Sequence, residues 1–398
     1  MDLLYELSDK KINTISLDFV RYLESKINWK QRLIAIKGAR GVGKTTLMLQ
    51  HIKKNIRNKD AVLYISLDHL YFSKNTLLDV ADAFVKRGGK YLFIDEVHKY
   101  NNWSTELKNL YDHYSELQIV FTASSILDIY KGNADLSRRA VAYDLEGLSL
   151  REFIKLSHNI DFSVLRLSEV LKNHKELSLS IINKIKPIKI FNEYLQYGYY
   201  PFFIEGIEVF HSKLANTINL VLETDLPNAQ KIDYSAIHKI KKLLYVISQS
   251  VPFKPNITKL SNEIGTTRPT LLLYLHYLEL AKIIYSLTSN AQGHNFMNKP
   301  EKIFLQNSNL FYAISNEQIP QKGTLREVFF INQLSVNHKI NYTEKGDFEV
   351  DRNLHFEIGG KSKSFEQIKG LKNAYVAADD IEIGLGNKIP LWLFGFLY

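Results

Sequence analysis

The sequence predicts an α/β fold: a parallel sheet with helices on both faces, then an α-helical region, a helix-turn-helix with a wing, and a small α/β module. Three observations carry this expectation. Short β-rich apolar runs alternate with amphipathic helical runs through the first third, the pattern of a parallel sheet covered by helices. From about residue 151 to 230 the runs turn helical, and after residue 321 short strands follow a single helix.

Taken in order, RLIAIKG, AVLYISLD, KYLFIDEV and QIVFTASS read as strands. Between them, Thr45 to Lys54, Leu77 to Arg87 and Trp103 to Tyr114 space their Leu, Val and aromatic residues as helices do. The stretch KLANTINLVLETDLP is helical until Pro227 ends it. In residues 234–287, ITKLSNEIG and RPTLLLYLHYLELAKII form two helices across a Gly265-Thr266-Thr267 turn, with a β-rich hairpin to follow. After Gly323 the helix REVFFINQLSV precedes strands at Phe348 to Ile358, Asn373 to Ala377 and Pro390 to Leu397. The expected divisions are 1–150, 151–230, 231–320 and 321–398.

Composition narrows the function classes. With 398 residues, 45% hydrophobic and 23% charged, the chain has ample apolar surface for two or three cores, which excludes wholesale disorder. It has no cysteine, so disulfides, thiolate metal sites and cysteine nucleophiles are excluded together, and a reducing compartment fits. The start, MDLLYELSDKK, carries acids where a signal peptide needs basic residues, and no apolar run approaches the ~18 residues of a membrane span. The cytoplasm is the expected location, with no membrane partner. Net charge is +9, and residues 231–287 hold 8 basic against 3 acidic residues, which makes a polyanion such as DNA a candidate partner there.

Between the first strand and the first helix lies GARGVGKT, which fills the G-x-x-x-x-G-K-[ST] template in the strand-loop-helix context it requires. Gly38, Ala39, Arg40, Gly41, Val42, Gly43, Lys44, Thr45 and Thr46 are therefore the expected phosphate cradle. Its glycines let backbone N–H groups converge on phosphate oxygens at a helix N-terminus, Lys44 reaches the β- and γ-phosphates, and Thr45 offers its hydroxyl to Mg²⁺. Fifty residues on, KYLFIDEV delivers Asp95 to the metal and Glu96 as a general base for the attacking water. His98 reads as a packing or capping histidine. QIVFTASS ends in Ser124 and Ser125, either of which suits a γ-phosphate sensor or a helix cap. Arg138 and Arg139 precede another strand, where one of them could reach a neighbouring copy's γ-phosphate as an arginine finger.

Together GARGVGKTT, FIDEVHKYNNWSTELKNLYD, FTASS, LSRRAVAYDLEGLSLREF, YLQYGYYPF and IPLWLFGFLY resemble a family of prokaryotic AAA-type P-loop ATPases. In that family a P-loop domain is joined to a C-terminal domain of unknown function, built from a winged helix and a restriction-endonuclease-like module. The resemblance spans nearly the whole chain. It implies ATP and Mg²⁺ as ligands, Lys44, Thr45, Asp95 and Glu96 as the ATP site, and Arg138 or Arg139 as the finger. The family's usual glycine is Ala123 here, just before the sensor candidate Ser124.

The C-terminal half is open to two uses. Arg268 and Thr270 start the second helix of the helix-turn-helix, where base-reading side chains sit, and Lys254, Lys259 and Lys282 suit phosphates. Protein packing is the other reading. In the tail, Glu327, Asp351 and Glu357 follow the acid pattern of restriction-type nucleases, but the slot for the assisting lysine holds Gly359 and Lys361 is misplaced. The expected function is a Mg-ATP hydrolase that switches a C-terminal DNA- or protein-binding region; a nucleotide-gated DNA endonuclease and a non-hydrolysing regulatory module are the alternatives. The expected partners are ATP, DNA through residues 231–287, a protein client and further copies of the chain.

Overall fold

A computed structural model describes residues 1–126, 136, 138–230, 232–249, 254–288, 299–314 and 321–398. The chain divides into two units, Met1–Gly147 with Asp225–Lys231, and Leu148–Thr224 with Ile232–Tyr398. Among the described residues no helix is long and apolar enough to cross a membrane.

The first unit is built on a five-stranded sheet of β1 (Leu33–Gly38), β2 (Val62–Ser66), β3 (Tyr91–Asp95), β4 (Gln118–Ser124) and β5 (Val141–Asp144). Strand order is β2-β3-β4-β1-β5 and every pairing is parallel. Helices α1 (Asp2–Thr14), α2 (Lys44–Asn55), α3 (Leu77–Lys86) and α4 (Trp103–His113) flank it. The strands read as near-continuous apolar runs because helices cover the sheet: Leu33 to Ile36, Leu92 to Ile94 and Ile119 to Phe121 are all buried. β2 is an edge strand, and its Tyr64 N–H donates to Ser8 Oγ of α1, so the edge is covered rather than exposed. Parallel strands bring their C-terminal ends to one edge, where ligands of such sheets bind. Gly38, Asp95 and Ser124 all stand there, with Gly38 in register with Ser124 and Ser66 with Asp95.

The second unit begins with α5 (Leu150–His158), whose Ser149 and Glu152 form a capping box, followed by α6 (Leu167–Ile182), α7 (Pro187–Tyr197) and α8 (Phe210–Leu220). After the excursion of residues 225–231 come α9 (Tyr234–Gln249), α10 (Ile257–Ile264) and α11 (Arg268–Leu280), then an antiparallel pair, β6 (Ile284–Leu287) and β7 (Lys302–Leu305). The helix expected to run to Ile284 stops at Leu280; Lys282, at φ 56°, turns the chain into β6. The helix α12 (Asn309–Ile314) leads to α13 (Lys322–Leu334). A sheet of β8 (Ile340–Asn341), β9 (Phe348–Val350), β10 (Leu354–Gly359), β11 (Ala374–Ala378) and β12 (Lys388–Pro390) closes the unit, antiparallel on one side of β10 and parallel on the other.

One expected strand is a 3₁₀ helix instead. Only Pro390 of the Pro390 to Leu397 run pairs with a neighbour, and Leu391–Phe396 coils with every residue buried. A short run that is apolar on all sides carries no period that separates strand from helix. The core beneath it is aromatic: Phe329 on α13 meets Phe191 edge-on at 4.6 Å and Tyr194 at 5.7 Å. Phe329 is 1% exposed, so Phe329→Ala leaves a cavity and should cost about 3–5 kcal/mol. Urea titration followed by near-UV circular dichroism reads this as a lowered midpoint, and an unchanged midpoint contradicts the packing described.

Candidate functional site

The loop from Gly38 to Lys44 joins β1 to α2. At Gly38 a Cβ would lie 2.3 Å from the Leu145 carbonyl oxygen, so the backbones approach more closely than any side chain permits. Gly43 caps α2 at φ 97°, in the left-handed region that glycine adopts without strain. Lys44 Nζ donates to the Gly38 and Ala39 carbonyls at 3.0 and 2.9 Å. Burial lowers the pKa of its ammonium, against the pull of Glu96 and Asp95. Arg21, which the sequence did not single out, clamps the loop from behind by donating to the carbonyls of Val42, Glu146 and Gly147.

Asp95 ends β3 and is 4% exposed. Its carboxylate accepts from Thr45 Oγ1 at 2.8 Å, from the Tyr64 hydroxyl at 2.9 Å and from Thr122 Oγ1. Burial and the Asp95 charge push the Tyr64 pKa far up, so this hydroxyl keeps its proton and donates it to the carboxylate. A hydroxyl and a carboxylate in contact are hard oxygen donors of the kind Mg²⁺ takes, so the Thr45–Asp95 pair fits that ion. Glu96 follows at φ 55°, ψ 43°, a conformation unusual for a residue with a side chain, and its N–H donates to Thr122 Oγ1 at 3.0 Å. Neither Tyr64 nor Thr122 stands out in the sequence, because each lies between apolar neighbours inside its strand.

Behind Glu96 lies a charged cluster with Asp225 at its centre. The Asp225 side chain is 2% exposed and accepts from Lys99 Nζ at 2.7 Å and Arg40 Nη1 at 3.1 Å. Burial alone would raise its pKa, but the His98 ring, Lys99 and Arg40 outweigh burial and hold it well below the usual carboxylate range. A cleft of about 460 Å³ opens here, lined by Arg40, Thr45, Tyr64, Asp95, Glu96 and Lys99 among others.

The remaining candidates are close by or committed elsewhere. Ser124 Oγ accepts from the Ile126 N–H at 3.4 Å, and the Ser125 N–H donates to the Gly38 carbonyl. Arg139 forks onto Asp112 at 2.8 and 3.0 Å, whereas Arg138 is exposed. Thr46 and Gly41 face solvent. In the second unit Lys254, Lys259 and Arg268 are exposed, and Lys254, Arg268 and Lys299 line a cleft of about 480 Å³.

In the tail the structure changes two members of the expected set. Asp351 is a turn residue at φ 52° that accepts from Lys339 N–H and pairs with His338 at 2.7 Å. The acid that stands with Glu327 is Asp347, because Lys302 Nζ lies 3.8 Å from both carboxylates. Lys361 is exposed, while Lys363 pairs with Glu357. Lys363 also lies where a side chain at 359 would go: a Cβ on Gly359 would meet its Cβ and Cγ at 2.6 Å. The glycine slot is thus filled in space by a lysine four residues later. Among the described residues no group of three or more His, Asp or Glu side chains is arranged to hold a metal ion.

With this geometry in place, the likeness of the chain to known proteins becomes specific. Residues 30–154 match the model of the AAA domain family. Most of the matched stretch lies in the first unit, which is thus similar to an AAA domain. Residues 188–320 match a second model, a domain of unknown function (DUF8612). The uncharacterized protein MJ1637 of Methanocaldococcus jannaschii is 27% identical over 297 residues, which is 71% of this chain and 62% of that one. The chain therefore spans less than two thirds of that relative's length. The uncharacterized protein MJ1544 of the same organism is 24% identical over 383 residues, 90% of this chain and 78% of that one. Among solved structures, PCH-2 of C. elegans aligns over 70% of this chain and 66% of its own, at 15% identity and a TM-score of 0.26. AMPPCP-bound DnaA from Aquifex aeolicus aligns over 70% and 87%, at 16% identity and a TM-score of 0.25. The fold assignment stands on the strand order and the loop, not on these alignments.

The buried tail acids make stability depend on pH. Burial, with Asp347 nearby, pushes the Glu327 pKa from 4.5 up to about 7 against the opposing Lys302 charge. Between those values the folded chain binds a proton that the unfolded chain has released, so this group's stabilisation is full below about pH 4.5 and is lost as pH rises through about 7. Glu327→Gln should match wild type near pH 4 and exceed it by about 2–3 kcal/mol at pH 8. Denaturant unfolding at the two pH values checks this, and equal curves at pH 8 contradict it.

Proposed function

We propose that the chain is a Mg-ATP hydrolase whose nucleotide state alters what its second unit holds. The observation that supports this most is the meeting of Lys44, Thr45, Asp95 and Glu96 at one sheet edge, on a loop whose Gly38 has no room for a Cβ and whose Gly43 is left-handed. The loop's N–H groups and Lys44 bind the triphosphate, and Asp95 with Thr45 would hold Mg²⁺. Mg²⁺ supplies charge neutralisation at the phosphate oxygens when bound. Glu96 takes the proton of the attacking water as its oxygen bonds to the γ-phosphorus, and the bond to the bridging oxygen of ADP breaks. Ser124 stands beside Gly38, where it can orient that water. Of the two arginines, Arg139 is engaged by Asp112, and Arg138 is the more exposed.

For the second unit the reading is nucleic acid binding. Helices α10 and α11 with the β6–β7 pair have the order of a winged helix, and the exposed Lys254, Lys259 and Arg268 give them a basic face. The tail we read as a structural or binding module and not a nuclease. A lysine does reach Glu357, but Lys302 and Lys363 already engage all three acids.

Two experiments test these readings. Lys44→Ala should abolish binding of a fluorescent ATP analogue, whereas Glu96→Gln should keep binding and lose phosphate release by about 10²-fold or more; unchanged affinity in the first or unchanged turnover in the second removes the assignment. Duplex DNA binding by the full chain should weaken steeply with salt, and replacing Lys254 and Lys259 together should shallow the log–log slope by about one for each lysine–phosphate pair removed. A slope that does not change excludes these lysines from the interface.

A further inference from the structure

Asp225 reaches the nucleotide site from far along the chain. It ends a π-helical turn, Val221–Asp225, that follows α8, and the helical segment Leu226–Gln230 continues from it. Such turns break the regular helical ladder and are frequent at functional sites. In the first unit its carboxylate faces three groups: Lys99, Arg40 of the phosphate loop, and His98, whose Nε2 lies 3.7 Å away. The His98 side chain is 5% exposed, and among the described residues neither ring nitrogen has a hydrogen-bond partner. The same Nε2 lies 3.3 Å from Glu96 Oε2, so the imidazole stands between the two acids.

We propose that Asp225 is a positioning residue for ATP hydrolysis, acting through His98 on Glu96 and through Arg40 on the phosphate loop. This rests on the hydrolase reading above. A buried carboxylate needs cations around it, and a purely structural ion cluster would meet that need. What separates Asp225 from such a cluster is whom it holds. Arg40 belongs to the loop that meets the phosphates, and Lys99 lines the same cleft, so both charges are drawn from a polyanion toward Asp225. His98 stands between Asp225 and the general base, 3.7 Å from the one and 3.3 Å from the other. The segment carrying Asp225 therefore sets how well Glu96 is aimed, and whatever shifts that segment changes the rate of cleavage without touching the phosphate-binding groups.

The opposing roles give a signature. Asp225→Asn keeps the shape and removes the charge: Arg40 and Lys99 are released to attract nucleotide, while His98 and Glu96 lose their alignment. Phosphate release against Mg-ATP concentration, together with the Kd of a fluorescent ATP analogue, is measured on the full chain for wild type, Glu96→Gln, Asp225→Asn and His98→Asn. In Asp225→Asn, kcat should fall about 10- to 100-fold while the Kd stays the same or tightens. A wild-type kcat, or kcat and affinity lost together, overturns the proposal, since a structural lesion weakens both. If Asp225→Asn does not fold, judged by its thermal transition, His98→Asn decides: lowered kcat with unchanged Kd supports the proposal and a wild-type kcat overturns it. Wild-type protein without turnover, or Glu96→Gln as fast as wild type, removes the hydrolase reading and the proposal with it, an outcome distinct from active wild type with an unimpaired Asp225→Asn.

Discussion

The Asp95 carboxylate is the point on which the first unit is organised. It accepts hydroxyl protons from Thr45 on α2, Tyr64 on β2 and Thr122 on β4, so one side chain ties a helix and three strands at the ligand edge. Hydrogen bonds to an ionised acceptor are stronger than neutral ones, and burial strengthens them further. Because the acceptor ends β3, a slip of one residue in any neighbouring strand would turn its hydroxyl to the other face of the sheet. The register of the sheet and the chemistry of the site are thus one constraint.

This explains which parts of the site were legible in the sequence. The phosphate loop and the Asp95–Glu96 pair are local: their residues are contiguous, their geometry is set by glycine conformation and strand polarity, and short-range patterns report both. Tyr64 and Thr122 are not local, since their role arises only when parallel strands place them beside Asp95. Asp225 is separated from Glu96 by the helical region, and in its own neighbourhood it is one acid in an amphipathic run. His98 read as packing because its partner on the far side was out of view. Fold class was legible throughout, whereas LWLFGF was not, because burial on every side erases the period that would separate a strand from a helix.

The tail shows how a sequence slot differs from a position in space. Gly359 lacks the side chain expected beside Glu357, and for that reason the chain can turn back and lay Lys363 across it. Asp347 replaces Asp351 by a related displacement: it precedes β9, where its Oδ2 accepts from the Ile358 N–H, whereas Asp351 closes the turn after the strand. Spacing templates assume regular strands between their members. Tight turns at either end move the side chains by a few positions while the place they occupy is kept.

Glu96 sits in a left-handed backbone conformation that costs a residue with a Cβ about 1–2 kcal/mol. Glycine would adopt it without that penalty, yet glycine offers no carboxylate. Position 96 is therefore a place where the chain bears backbone strain in order to present a carboxylate at the ligand edge, and a glycine there would relieve the strain and leave that edge one acid poorer.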